Sequence, residues 1–448
     1  MCIRDRYLAD FVREINELQE NGAHINGRYY RFKLRQILPD LPARAMILKI
    51  VSHTAFSGCP RCHTKGMKVD GVTVFLDFDA KKRTAEEYKE GKKPHHKGVS
   101  PLTKISGGFD ITRDVGIDSM HMIKGIVERL LTALRTDPER KKTLTACRQK
   151  IVSNRLTEAR KYWIEEFQRA PIPLEELKDW NCTQFRSFIV YLAPWVLRDI
   201  FKENPQHYEN ILLLCTALRL LMVPQKKETF EYVEYILRKF CLLSRKLYGD
   251  SFSCFNVHLC NHIVDDCGHL GPLDDYLSAY KFENWYRELL SYIHSGNRPL
   301  QQIALQYYLS VKLRQNDSAT AISEHFSISH PVDKKVNCGE FRQMKNDKFL
   351  FRTDRRASSF AVTKSGLVVT IVKIFKHGDE APIQMTCQIF KTREPAFKIL
   401  GQHNAPTLYK VSNLSTELYA IKSTDVIGKC FLLPLDENSY YAARLLHY

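Results

Sequence analysis

The sequence predicts an α/β protein that carries a large α-helical insertion and ends in a small β domain. Three observations predict it. A helical pattern followed by strand-like alternation opens the chain, helical periodicity dominates from about 115 to 250, and short β runs take over beyond residue 338.

Taken in order, Leu8, Phe11, Val12, Ile15 and Leu18 recur at helical spacing and predict an amphipathic helix over 7–20. Asn26-Gly27 is a turn signal. Tyr30, Phe32 and Leu34 alternate with Arg31, Lys33 and Arg35, the pattern of a half-buried strand. A second helix is expected over Ala43 to Val51, with Pro42 near its first turn. Asp40 would then stand where a strand ends and a helix begins, where α/β folds present functional side chains. Residues 64–110 are polar and irregular, and the charged run Lys81 to Lys97 reads as a solvated loop or helix. Val127, Leu130, Leu131 and Leu134 represent the helical stretch, and Phe185 to Leu197 adds another. A helix over 275–295 carries Phe282, Trp285, Tyr286, Leu289 and Ile293 on one side. Residues 316–337 read as a linker. The β runs of 338–448 include Phe349-Leu350-Phe351, Gly366 to Ile374, Ile383 to Phe390, Leu408 to Val411 and Cys430-Phe431-Leu432.

Length and charge narrow the function classes. A chain of 448 residues, 44% hydrophobic and 26% charged, has enough apolar sequence for two or three cores, which excludes a mostly disordered chain or a small disulfide scaffold. A formal charge of +17 favours polyanionic partners, nucleic acid first. The most apolar run, Ile211 to Val223, is too short for a bilayer and holds Arg219. Thirteen Cys without framework spacing suggest reduced thiols in an intracellular compartment, with a metal site among them.

The sharpest local motif is Cys59-Pro60-Arg61-Cys62-His63. Two Cys separated by two residues grip one metal ion from a tight turn, and a second ligand pair is needed to close a tetrahedron. His258 and His262, spaced to share a helix face, are the best candidates. Free thiols and core histidines are the plain alternative. CxxCH is also a c-type haem attachment motif. Asp118 and His121, three apart at a helix start, face the same way and would support a ligand or simply cap the helix. Asp40 alone reads as a helix N-cap and Glu283 alone as a solvated helix charge; together they would be two carboxylates of a magnesium site.

Several of these motifs occur in an order that resembles a known family. Asp40-Leu-Pro-Ala-Arg-Ala, Gly58-Cys-Pro-Arg-Cys, Lys97-Gly98-Val-Ser-Pro-Leu, Asp118-Ser-Met-His, Asn256-Val-His, Gly271-Pro-Leu and Phe282-Glu-Asn resemble the transposase of CACTA-type (En/Spm, tnp2-like) DNA transposons over most of residues 7–310. The resemblance implies a ribonuclease-H-like core with an acidic triad, interrupted by a helical insertion, similar to the V(D)J recombinase catalytic core. It implies Asp40 as the second catalytic acid and Glu283 as the third, both on Mg2+ (or Mn2+). It also implies Cys59, Cys62, His258 and His262 as zinc ligands, with Asp118 and His121 in a supporting element. Transposon ends and target DNA would be the partners, the assembly a possible homo-oligomer, and the compartment the nucleus. The resemblance implies neither a membrane nor a small-molecule substrate.

One departure from the family pattern bears on activity. Residues 7–63 match only part of the core, 64–250 the insertion and 251–315 the His pair and Glu helix, and no strand ahead of the first helix carries the first catalytic Asp. Met1-Cys-Ile-Arg-Asp-Arg6 also resembles a translated sequencing-library adapter. The expectation is therefore a transposase fragment, inactive by itself, whose core is incomplete. A non-catalytic DNA- or protein-binding module derived from a transposase is the alternative. Basic clusters such as Lys81-Lys82-Arg83 and Lys92-Lys93 would add phosphate contacts.

Overall fold

A computed structural model describes residues 3–92, 94–136, 144–316, 326–332, 339–377, 381–400 and 407–447. The chain divides into two compact units, one formed by 1–147 and 199–279, the other by 148–198 and 280–448. The stretch 64–250, expected as one insertion, is thus shared between them. Among the described residues, no helix is long and apolar enough to cross a membrane.

The first unit is helical with little sheet. Its opening helix, Ile3–Asn21, runs through residues 3–6 of the adapter-like stretch; Met1 and Cys2 lie outside the described residues. Val12, backed by Leu8 and Ile15, packs into a core with Ile47, Leu48, Tyr88, Leu102 and Ile105. On the same helix the Asn16 amide donates to the Lys104 carbonyl at 2.9 Å and its oxygen accepts from the Ser106 N–H at 2.8 Å. A hairpin follows, β1 (Ala23–Ile25) and β2 (Arg28–Tyr30). The strand expected over 30–35 does not form: β2 ends at Tyr30, and 31–36 carry no ladder. Instead, the Leu34 N–H bonds the Gln19 side chain at 2.8 Å, and Ile37 makes one parallel bridge to Val115. The next helix is Leu41–Ile47, shorter than expected, because Lys49 turns left-handed (φ +51°) and Ile50 bridges to His96. A second hairpin, β3 (Met67–Val69) and β4 (Val72–Val74), and the helix Ala85–Glu90 lie in the stretch read as irregular. Helices Ser119–Thr136, Pro205–Leu221 and Lys227–Tyr248 also belong to this unit.

Among the described residues, the second unit is built on ten antiparallel strands. They are β5 (Ser327–Pro331), β6 (Gly339–Lys345), β7 (Leu350–Arg352), β8 (Phe360–Thr363), β9 (Val368–Lys376), β10 (Gln384–Pro395), β11 (Leu408–Leu414), β12 (Tyr419–Lys422), β13 (Val426–Pro434) and β14 (Ser439–Arg444). Because β10 pairs with both β9 and β11, the order β10-β11-β14-β13-β8-β9 closes on itself as a six-stranded ring. Closure removes two strand edges that would otherwise stay unpaired. Phe360, Val362, Val368, Phe390, Val411, Cys430 and Leu432 form a core cluster of these strands. The β domain therefore starts at Ser327, inside the stretch read as a linker, and not at 338.

Nor is that domain separate from the helical region. Trp195 donates its indole N–H to the Pro434 carbonyl at 2.7 Å, Tyr191 Oη lies 2.6 Å from His447 Nδ1, and Phe167 packs edge-on against Phe431. Lys429, fully buried, donates to both Glu166 oxygens at 2.8 Å. The helix expected over 275–295 is broken, with Leu273–Tyr276 in the first unit and Tyr280–Ser291 in the second. The latter buries none of its residues, so its aromatic side is an exposed face and not a core stripe.

Candidate metal centre

The CxxC turn is shaped by its neighbours. A Cβ on Gly58 would stand 2.7 Å from the Ser52 carbonyl and 2.9 Å from that of Ala55, so only glycine lets the chain enter the turn this tightly. The Arg61 N–H points at Cys59 Sγ, 3.4 Å away. The Cys59 carbonyl accepts from Arg83 Nε at 2.9 Å and the Pro60 carbonyl from the Tyr88 hydroxyl at 2.8 Å. Arg83 and Tyr88 come from the charged run that reads as solvated, as does His95, which bonds the Ser57 carbonyl at 2.6 Å. A carbonyl only accepts, so His95 carries its proton on Nδ1. Burial, with Arg83 adding to it, pushes the His95 pKa down to about 3, which keeps the ring neutral.

The histidine pair is held by a broken helix. Phe255–His258 makes one turn, Leu259–Asn261 tightens to a 3₁₀ turn, and Ile263–Leu270 continues. The expected single helix face is replaced by this kink, yet the two Nε2 atoms lie 3.2 Å apart. The Asn261 carboxamide lies 3.3 Å from His258 Nδ1, where it can hold that ring's orientation.

These two segments, about 200 residues apart in sequence, converge. Cys59 Sγ lies 3.3 Å from His258 Nε2 and 3.5 Å from His262 Nε2; Cys62 Sγ lies 3.4 Å from His258 Nε2 and 3.5 Å from Cys59 Sγ. All four residues are buried, and their ligand atoms fall within 4.8 Å of one another. A tetrahedral ion with bonds of about 2.3 Å to sulfur and about 2.0 Å to nitrogen has edges of roughly 3.3–3.8 Å. The five separations given above, 3.2–3.5 Å, are close to those edges, so the donor set fits a small thiophilic divalent ion. The two sulfurs also titrate apart. Burial raises the Cys59 thiol, but bonds from Cys62, His258 and His262 outweigh it and hold Cys59 well below the ordinary thiol range. Cys62 is pushed up, first by its contact with Cys59 and then by burial. Among the described residues, no other group of three or more His, Cys, Asp or Glu could hold a metal.

A buried ion pair ties the turn to the helix behind the histidines. Arg61 donates to Asp266 Oδ2 and to the Val115 carbonyl, each at 2.8 Å, and the same Asp266 oxygen accepts from the Ile117 N–H at 2.7 Å. Asp118 and His121 come together as their spacing implies, in direct side-chain contact. Asp118 also accepts from the N–H groups of Met120 at 3.1 Å and Ala279 at 3.0 Å, so it caps one helix and fastens the end of the unit. On the solvent side of His262 a cavity of about 310 Å³ is lined by Arg61, Lys82, Arg83, Arg113 and Asp265. In the sequence Arg61 stands out only as a member of the CxxC motif and Arg83 only as a member of a basic cluster, and Tyr88, His95 and Asp266 are not singled out. Asp266 had a signal, since it follows His262 by one helical turn.

The proposed carboxylates sit differently. Asp40 is exposed and caps the helix Leu41–Ile47, accepting from the Ala43 N–H at 2.8 Å. Glu283 is exposed on Tyr280–Ser291 and belongs to the other unit. The haem alternative fits poorly, because both sulfurs are buried against imidazoles and His63 bonds Glu87 at 2.9 Å. The basic cluster is also partly committed: Lys82 pairs with Asp265 at 2.6 Å, Arg83 braces the turn, and Lys92 pairs with Glu90 at 2.9 Å, while Lys93 lies outside the described residues.

Comparison with known proteins speaks only to the second unit. A family model described as a domain of unknown function (DUF8592) matches residues 326–445. That span coincides with β5–β14. No curated protein and no solved structure matches the chain.

Proposed function

We propose that this chain is part of a DDE-type transposase of the CACTA class, with its Cys59, Cys62, His258 and His262 cluster holding zinc. The observation that supports it most is the convergence of Cys62 and His258, 196 residues apart in sequence, because the motif order that resembles the family calls for that meeting. Zinc at this site supplies a structural clamp and no reaction chemistry. What this chain's residues do is hold the CxxC turn, by Gly58, Arg83 and Tyr88, against the kinked His pair. In this reading residues 7–63 belong to a ribonuclease-H-like core, the partner is transposon-end and target DNA, the compartment is the nucleus, and the chain can form a homo-oligomer.

The catalytic magnesium rests on the resemblance alone: Asp40 serves as a helix cap, and no residue of this sequence matches the first catalytic Asp, so no cleavage step is assigned to these groups. The chain by itself is expected not to nick DNA with Mg2+ or Mn2+. Nicking by the purified 448-residue chain would overturn that. A longer chain supplying a strand-end Asp ahead of residue 7 is expected to nick, and Asp40→Asn or Glu283→Gln to abolish it. Full activity in both variants would reject the carboxylate assignment. The capping role and exposure of Asp40 favour the second reading, a non-catalytic binding module that keeps the zinc-braced scaffold.

A further inference from the structure

We infer that the β1–β2 hairpin and the three residues after it form a nucleic-acid contact surface, with Arg28, Arg31 and Lys33 on phosphates and Tyr29 and Tyr30 on bases or sugars. This deepens the nucleic-acid reading above and rests on it.

The ribbon is built to project. Gly22 turns the chain out of the first helix at φ +63°, where a Cβ would fall 2.5 Å from the Tyr30 carbonyl. Asn26 and Gly27, at φ +50° and +76°, make the tight left-handed turn that matches strand twist. Pairing sets Ala23 opposite Tyr30, His24 opposite Tyr29 and Ile25 opposite Arg28. Ile25, Arg28 and Tyr30 therefore share one face, and His24 and Tyr29 the other. Both faces are open, with Ile25 48%, Tyr29 51% and Tyr30 44% exposed. A two-stranded ribbon bare on both sides is marginal in water, so these apolar surfaces want a partner.

Charge says which partner. From Asn21 to Pro39 the sequence has Arg28, Arg31, Lys33 and Arg35 and no acidic residue. Arg35 is used internally, on the Leu270 carbonyl at 2.6 Å and over the Tyr276 ring. Arg28, Arg31 and Lys33 are exposed and make no ion pair among the described residues. This contrasts with Lys82 and Lys92, which have acidic partners. Free cations interleaved with exposed tyrosines suit a polyanion that also offers flat rings, which is a nucleic-acid strand. A two-stranded ribbon also fits the major groove of a duplex.

The test is fluorescence anisotropy of the whole chain with a labelled duplex and the matching single strand across a salt series. Arg28→Ala/Arg31→Ala/Lys33→Ala is expected to weaken binding about tenfold or more and to lower the salt slope by about 2–3. Metal content and far-ultraviolet circular dichroism should stay as in the parent chain. Arg28→Lys/Arg31→Lys/Lys33→Arg should restore the slope. Tyr29→Ala/Tyr30→Ala should weaken the single strand more than the duplex if the rings stack, and the duplex more if the ribbon enters a groove. Parent-like affinity and slope in the triple Ala variant would overturn the ribbon assignment alone. If the parent chain binds neither probe, the nucleic-acid reading falls with it. A loss confined to binding of an acidic polypeptide would also overturn the proposal.

Discussion

The two units solve the same problem, fixing distant stretches of chain together, by different chemistry. In the second, ladders and a closed ring of strands hold β5–β14 together, and an aromatic core and the buried Lys429–Glu166 pair fasten residues 148–198 to them. In the first, the sheets are two hairpins of two strands each, and the long-range ties are discrete: the Cys2His2 cluster, Arg61 on Asp266, and Asp118 on Ala279. A ladder spreads its stabilisation over many small bonds, so losing one matters little. A clip concentrates it, so the first unit is expected to depend sharply on a few residues and on metal.

The largest effect should therefore come from metal removal. Chelation, or Cys59→Ser, is expected to cost on the order of 10 kcal/mol of site free energy when the whole ion is lost. Hydrogen exchange should show 52–64 and 252–270 losing protection while β8–β14 keep theirs. Equal loss in both units would break the contrast. Unchanged zinc stoichiometry in Cys59→Ser would reject the ligand.

An intermediate effect should mark the buried Lys429–Glu166 clip of the second unit. Lys429→Ala removes the cation facing Glu166 and leaves that carboxylate only the Leu350 N–H, which should cost about 3–5 kcal/mol in denaturant unfolding. Lys429→Met with Glu166→Leu should recover most of it, since apolar replacement of a buried pair is often close to neutral. A small loss in the single variant would mean that the Trp195, Tyr191 and Phe167 contacts hold 148–198 in place without it.

The smallest effect belongs to Asp40. Asp40→Ala should cost about 1 kcal/mol through the lost cap, and Asp40→Asn almost nothing, because Asn caps as well. Thermal unfolding of both variants checks this. A much larger loss would mean Asp40 ties more than one helix end.

Legibility followed the range of the interactions. The opening helix, the Asn26-Gly27 turn and the runs that became β7, β9, β10, β11 and β13 were readable, because periodicity and turn chemistry are local. Strands β5, β6, β8, β12 and β14 were not singled out, although Ser439–Arg444 and Phe360–Thr363 help close the ring. Their pairing partners, not their own patterns, make them strands. The Tyr30–Leu34 alternation failed for the converse reason: it has the right period, but no neighbouring strand pairs with it.

What the sequence by itself determined is the donor set, Cys59 and Cys62 with His258 and His262, together with the basic surplus and the change from helix to strand along the chain. Only the tertiary structure decided that the four donors meet, that Arg83, Tyr88, His95 and Asp266 brace them, and that 148–198 belongs with the β domain. It also decided that the face of Tyr280–Ser291 is exposed. The physical reason is that residue types and spacings are written locally, whereas a buried contact exists only when two distant segments each find the other the best place to leave water.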